Sequence, residues 1–237
     1  ARDLLAWKPA TKQCARRVRI GIIDTSFDVS HPAFHGRKFS LEQFSGNQSI
    51  ARGDWHGTAV LSVLAGNASS STPGLIPDAD FLLASTFRAD AQGNAAADTI
   101  SVLKALAWLD KRKVNIVNMS FSGPRNDQIE AAIAAMAAKG VVFVAAAGNQ
   151  GPNAPPSYPA AYPQVVAVTA ISKKLNSYRH ANRGDYVDVA APGVQVLTAL
   201  PEGRQGYRTG TSFATPFVTG LLAAMPAVRK GAADKEE

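Results

Sequence analysis

Asp24, His56, Asn149 and Ser212 are the residues of this 237-residue chain whose types, taken together, could do acyl transfer. A serine hydroxyl is a poor nucleophile until a base removes its proton, and a neutral imidazole can do so near neutral pH. A carboxylate holds the imidazole in the required tautomer and stabilises its charged form. An amide side chain and a backbone N–H can then hold the developing oxyanion, and losing one such donor costs about 3 kcal/mol of barrier. Taken singly, each residue has a plainer reading. Ser212 caps a helix, Asp24 caps a turn, and a lone histidine at a helix start is more often structural than catalytic.

The elements that would position them follow from local pattern. Gly210-Thr211-Ser212-Phe213-Ala214-Thr215-Pro216 leads into a run of apolar and small residues, 213–225, that predicts a buried helix. Pro216 cannot donate the hydrogen bond that would return to the Ser212 carbonyl, but a proline is tolerated in a first turn. The helix therefore starts at or near Ser212, with the hydroxyl at its positive end beside orphan N–H groups. Residues 18–23 read as a buried strand ended by Asp24-Thr25-Ser26, and open α/β sheets place functional groups at the C-terminal ends of such strands. Asp54-Trp55-His56-Gly57-Thr58 opens an interior helix over 59–64, with Gly57 leaving space beside the imidazole for another chain segment or a substrate.

Further strands are predicted at 81–84, 114–120, 141–147, 165–170 and 187–190, and helices at 99–110 and 129–139. A short helix is expected at 3–7. Residues 35–55 read as irregular, 152–163 as a Pro-rich loop, and 179–184, with His180, as an exposed loop. The alternation of strand and helix predicts an α/β fold of three layers, α/β/α, with a mainly parallel central sheet. No linker divides the chain, so a single domain over 1–237 is expected, with its core at 18–225 and a flexible tail at 226–237.

Composition narrows the function classes. With 46% hydrophobic and 18% charged residues the chain fits one globular unit. No apolar run is long enough to span a membrane. The net charge of +7 comes from scattered basic residues, with clusters only at 16–19, 111–113 and 173–174 and no interleaved aromatics, so solvated surface is favoured over nucleic acid. Cys14 is the one cysteine, which excludes an intrachain disulfide and a Cys-based metal site. No signal peptide opens the chain, which begins at Ala1 and reads as a processed or shortened form.

Ile22-Ile23-Asp24-Thr25, His56-Gly57-Thr58, Ala147-Gly148-Asn149 and the 210–216 block together resemble the signature blocks of the subtilisin-like serine proteases. The order Asp, His, Ser is that of subtilisin itself, so it matches a known template. Ser30-His31-Pro32, Asn118-Met119-Ser120, Tyr158-Pro159, Tyr162-Pro163 and Ala191-Pro192-Gly193 extend the resemblance over about 18–225. It implies Ser212 as nucleophile, His56 as general base and then acid, Asp24 as its partner, and Asn149 with the Ser212 N–H as oxyanion donors. It also implies that Ser120-Phe121-Ser122 aligns the substrate as an added strand. Ala146-Ala147-Gly148 would form one wall of the pocket for the residue before the scissile bond, with Ser157 near its floor. The absence of acidic residues from these walls argues against a strict Arg or Lys preference.

A cis peptide at Tyr158-Pro159 is implied as well. Polypeptide substrates follow, with an N-terminal pro-segment or protein inhibitor as further partners and a secreted or extracytoplasmic setting. The sequence departs from the family pattern at Ser26, Ala59 and Phe121-Ser122 and at its short C-terminal end. Loop 67–74 is poor in acidic ligands; Asn67 is a weak calcium candidate, and neither a metal site nor a cofactor is expected. The rival reading is a catalytically silent peptide-binding protein that keeps the fold and groove.

Overall fold

The structure is a computed structural model and describes residues 15–45, 55–89, 95–225 and 227–228. Cys14, Asp54, the helix expected at 3–7 and nearly all of the expected tail lie outside them. In chain order the elements are β1 (Arg19–Asp24), a 3-10 turn (Pro32–Phe34), β2 (Ser40–Gln43), α1 (His56–Ala65), β3 (Asp80–Ser85), β4 (Arg88–Ala89), β5 (Ala95–Ala96) and α2 (Thr99–Lys111). There follow β6 (Ile116–Met119), α3 (Asp127–Ala137), β7 (Val142–Ala146), β8 (Val165–Ile171), β9 (Val189–Pro192), β10 (Val196–Leu200), β11 (Arg204–Arg208) and α4 (Thr211–Ala223). The central sheet has the order β2-β3-β1-β6-β7-β8-β9, and every neighbouring pair in it is parallel.

Alternation along the strands divides the core into two layers. Ile20 and Ile22 of β1, Val144 of β7 and Val168 of β8 pack with α1 and α4. Ile23, Phe143 and Ala167 face the other way, with α2 and α3. Each large side chain buried in this way contributes about 1.5–3 kcal/mol. The same two-residue period carries on past the apolar positions. Asp24 follows Ile22 onto the α1/α4 side, and Asn118 accepts a hydrogen bond from Thr219 of α4 (2.8 Å). The sequence periodicity therefore selects which face of the sheet receives the polar groups.

Helix α4 is buried along almost its whole length. Its buried hydroxyls find partners inside and outside the helix: Thr215 Oγ1 donates to the Thr211 carbonyl, while Thr219 Oγ1, bonded to Asn118, also approaches the Thr215 carbonyl at 3.2 Å. Helices α2 and α3 begin at side-chain caps, Asp98 accepting from Ser101 N–H and Asn126 from Gln128 and Ile129 N–H.

Several features differ from the sequence expectation, among them the unpredicted pairing of β4 with β5. Residues 40–43, read as irregular, form β2; all four are exposed, so an edge strand here shows no hydrophobic alternation. The β10–β11 hairpin was not anticipated, because its reversal uses Glu202 and Gly203, both at positive φ, rather than a recognisable Asn-Gly turn. Strand β9 starts at Val189 instead of 187, since the Asp188 carboxylate, not a backbone carbonyl, accepts the Ala167 N–H (2.8 Å).

Candidate active site

Asp24 stands at the end of β1 with its side chain only 2% exposed, and its Oδ1 accepts from Thr25 N–H and from His56 Nδ1, both at 2.7 Å. His56 is the first residue of α1 and its side chain is 23% exposed. With Nδ1–H donating to the carboxylate, Nε2 of the neutral ring is left as the acceptor. Gly57 makes this approach possible. A Cβ there would stand 2.7 Å from the Ser26 carbonyl oxygen and 3.0 Å from that of Thr25. The space beside the imidazole thus admits the turn that carries Asp24, and Gly57 N–H donates to Thr25 Oγ1 (2.9 Å). Ser26 holds no positive φ, so the turn tolerates its side chain.

Burial alone pulls the His56 pKa down and is the largest single influence. The Asp24 charge and hydrogen bond together outweigh it, leaving the pKa above the ordinary value of 6.5.

Ser212 is the second residue of α4 and 8% exposed. The carbonyl freed by Pro216 is taken up by Ser120 Oγ, which donates to Ser212 O at 2.9 Å and itself accepts from Asn118 Nδ2 at 2.9 Å. The ring of Phe213, next in sequence, lies 5.4 Å from the His56 ring, centroid to centroid. No hydrogen bond joins His56 to Ser212 in the resting arrangement; catalytic hydrogen bonds commonly tighten only around substrate.

Asn149, exposed just beyond β7, is held by the residue preceding the serine. Its Oδ1 accepts from Thr211 N–H (3.0 Å) and from Thr211 Oγ1 (3.1 Å), while Thr211 Oγ1 accepts from Gly148 N–H (3.2 Å). A backbone donor can face only the oxygen of the amide, so the NH2 end is turned outward. Among the described residues neither Asn149 Nδ2 nor Ser212 N–H has an acceptor, which leaves two free donors beside one another in the chain's fold.

The other residues singled out in the sequence lie at the ends of β6 and β7 and in the segments that follow them. Beyond β6, Phe121 and Ser122 make no backbone–backbone hydrogen bond among the described residues, so their edge is open. Ala146 and Ala147 have buried side chains, and the exposed surface of that segment begins at Asn149. Gly148 has φ 107°, and a Cβ on it would meet Asn182 Nδ2 at 2.6 Å. Gln150 Nε2 donates to Ser122 Oγ across the gap (3.3 Å). Ser157 is buried, and the peptide after Tyr158 is cis.

Asn182 and Tyr186 were missed by sequence reasoning. Residues 179–184 were expected to be an exposed loop, yet Ala181 and Asn182 are buried. Asn182 Oδ1 accepts from Gln150 N–H (2.9 Å), its N–H donates to the Gly148 carbonyl (3.0 Å), and Tyr186 OH donates to the Ala147 carbonyl (2.7 Å). Burial pushes the Tyr186 pKa up, against hydrogen bonds with Asn182 and the Ser157 backbone. Lone polar residues between apolar runs carry no pattern that would announce such a buttress.

Asn67, the weak calcium candidate, is hydrogen-bonded within its own loop and to His35. Its Oδ1 accepts from Ser69 N–H and Oγ, and its Nδ2 donates to the His35 carbonyl. The loop closes on itself through Gly74 N–H to the Gly66 carbonyl (2.7 Å). Among the described residues no cluster of three His, Cys, Asp or Glu could hold a metal, and no helix is long and apolar enough to cross a membrane.

Residues 15–236 match the subtilase family, and the chain belongs to it. That membership makes it a subtilisin-like serine endopeptidase by class, and the α/β/α arrangement is the subtilisin-like fold. It is 30% identical over 230 residues to the major intracellular serine protease of Bacillus subtilis (strain 168), covering 92% of this chain and 70% of that one. To subtilisin E of the same organism it is 30% identical over 211 residues, covering 87% of this chain and 54% of the relative's length. Among solved structures, a mutant of the protease domain of PatA superposes with a TM-score of 0.79 at 29% identity, over 91% of this chain and 82% of that one. The prenylagaramide maturation protease PagA superposes with a TM-score of 0.80 at 27% identity, over 94% and 82%.

Proposed function

We propose that the chain hydrolyses peptide bonds through an acyl-enzyme on Ser212, with His56 and Asp24 completing a triad and Asn149 with the Ser212 N–H receiving the oxyanion. The observation that carries this reading is the Asp24–His56 hydrogen bond of 2.7 Å, which turns the basic nitrogen of the imidazole away from the carboxylate. His56 Nε2 takes the Ser212 proton as Oγ attacks the scissile carbonyl. The tetrahedral oxyanion lies against the two free donors, and the imidazolium then gives its proton to the leaving amine. Water, deprotonated by the same imidazole, releases the acyl group and restores the serine. The open edge at Phe121 and Ser122 suits an extended substrate added as a strand.

Mixing the protein with an activated nitrophenyl ester tests this directly. A burst of nitrophenol with a mass increase of one acyl group on the peptide containing Ser212, absent in Ser212→Ala, is expected. Peptide binding with no burst would instead fit a silent binding protein.

PatA and PagA are described as maturation proteases. The same role for this chain, limited cleavage of a precursor, is part of the proposal. Cleavage-site profiling on a denatured proteome supports it if few sites share a motif and contradicts it if cuts fall throughout. A pro-segment or protein inhibitor seated in the groove, and a secreted setting, are carried as proposals from family resemblance alone. The relative described as intracellular weighs against the last.

A further inference from the structure

On the α1 side of Ser212, away from the edge at Ser120, stands a stack of rings capped by a cation. The Trp55 ring lies parallel to Phe213 (6.3 Å, interplanar angle 10°), and the Arg208 guanidinium lies 4.5 Å over the other side-chain partner of that stack, Trp55. Arg208 Nη1 donates to the Tyr207 carbonyl (2.9 Å). Its Nε is buried with no acceptor, and no carboxylate pairs with Arg208 among the described residues. Among the described residues the guanidinium is therefore held by stacking on Trp55 and by one backbone oxygen, and no carboxylate there compensates its charge.

Its place in the reaction follows from proton transfer. On the proposed mechanism the acyl part of the substrate lies along Ser120–Ser122 and the Asn149 side, on β6 and β7. The leaving amine must receive its proton from His56, so the peptide beyond the scissile bond leaves past the imidazole. Trp55, whose ring centroid lies 6.0 Å from that of His56, and Arg208 stacked over it border that path. We infer that Arg208 is a specificity-determining residue for the leaving-group side, selecting substrates with a carboxylate side chain at one of the first two residues after the scissile bond. Trp55 holds the guanidinium in place and offers an apolar surface to the departing chain. A fixed, planar, permanently charged fork suits a carboxylate better than a flexible ammonium would. This inference rests on the proposed peptidase activity and adds to it a substrate class.

Quenched fluorescent peptides identical except for Glu, Gln or Lys at those two positions provide the test. For the wild-type chain kcat/KM is expected to favour Glu over Lys by about tenfold at low ionic strength, the size of a partly exposed charge contact, and to lose most of that preference in high salt. Arg208→Gln is expected to bring the Glu-to-Lys ratio near one, Arg208→Lys to keep part of it, and Arg208→Glu to reverse it. Fluorophosphonate labelling of Ser212 establishes that each variant is folded; if Arg208→Gln fails to label, the ratio in Arg208→Lys and the salt dependence of the wild type decide. A wild-type chain that labels and cleaves but shows no preference for Glu overturns this inference alone. An unchanged ratio in Arg208→Gln also overturns it. A chain that neither labels nor cleaves any peptide overturns the proposed function together with it.

Discussion

His56 is pulled in two directions, and the balance decides where the enzyme works. Burial disfavours the imidazolium, Asp24 favours it, and Asp24 prevails, so the pKa is raised above 6.5. Catalysis needs the neutral ring, so the acidic limb of kcat/KM is expected above pH 6.5. Replacing the carboxylate by an amide leaves burial unopposed. Asp24→Asn should therefore move that limb to lower pH while lowering kcat on the order of 10⁴-fold, the loss seen when this carboxylate is neutralised in other serine proteases. A limb that stays in place in Asp24→Asn would contradict the assignment. The same raised pKa acts on the fold with the opposite sign. The contribution of protonated His56 to stability is fully present below pH 6.5 and is lost as pH rises through the folded-state value.

Oxyanion donors give a second prediction at this scale. Asn149→Ala should reduce kcat by about 10²–10³-fold, the cost known for this donor in subtilisin. Thr211→Val removes one of the two bonds on Asn149 Oδ1 and should cost part of that loss, yet nothing further when Asn149 is already alanine. Additive losses measured in the double variant would separate the two residues. The four catalytic candidates were legible because their chemistry restricts them to particular residue types. Thr211, Asn182 and Tyr186 were not, because hydroxyl and amide groups that buttress a wall can be supplied from many places in a sequence.

Among the elements, α4 shows how one residue's defect becomes another's attachment. Pro216 withholds a donor from the Ser212 carbonyl, and Ser120 Oγ supplies one from β6. That bond ties α4 to β6, the strand whose extension would face the substrate in the proposed reaction. Removing it leaves a buried carbonyl without its donor, so Ser120→Ala should destabilise by about 1–3 kcal/mol in denaturant unfolding. In a Pro216→Ala background the restored N–H competes for the same carbonyl, and the cost of Ser120→Ala should shrink. An equal cost in both backgrounds would contradict the compensation. The missing helical bond was readable from the proline spacing alone. Its replacement was not, since Ser120 is 92 residues away in sequence and only the sheet brings it near. Strand periodicity likewise marked most of the buried strands, whereas β2 and β11, with most residues exposed, offered no apolar rhythm to read, and β10, though buried, is paired only with β11.

For the molecule as a whole, strand order is what assembles the site. β1 lies between β3 and β6, so the chain reverses its direction of travel across the sheet there and opens a crevice at the strand ends. Asp24 and the Ser120 edge flank that crevice, with α1 and α4 covering one face. The parallel sheet was legible from the alternation of elements; the order of its strands was not, because local pattern does not encode which strands become neighbours. Loop 67–74 bears on stability at this scale. Its oxygen candidate is already bonded within the protein, so the melting temperature should be the same with and without EDTA. A fall of about 2–4 °C, the shift expected of ~1 kcal/mol in a domain of this size, would reveal a metal that supports the fold.

The rate of fluorophosphonate labelling at Ser212, followed across pH in the wild-type chain and in His56→Ala, tests the shared action of serine, histidine and aspartate most directly. Labelling is expected at Ser212 alone, rising through a single ionisation above pH 6.5, and nearly abolished without the imidazole. Labelling that is flat through the acidic range, or that survives His56→Ala, would contradict a triad built on Asp24, His56 and Ser212.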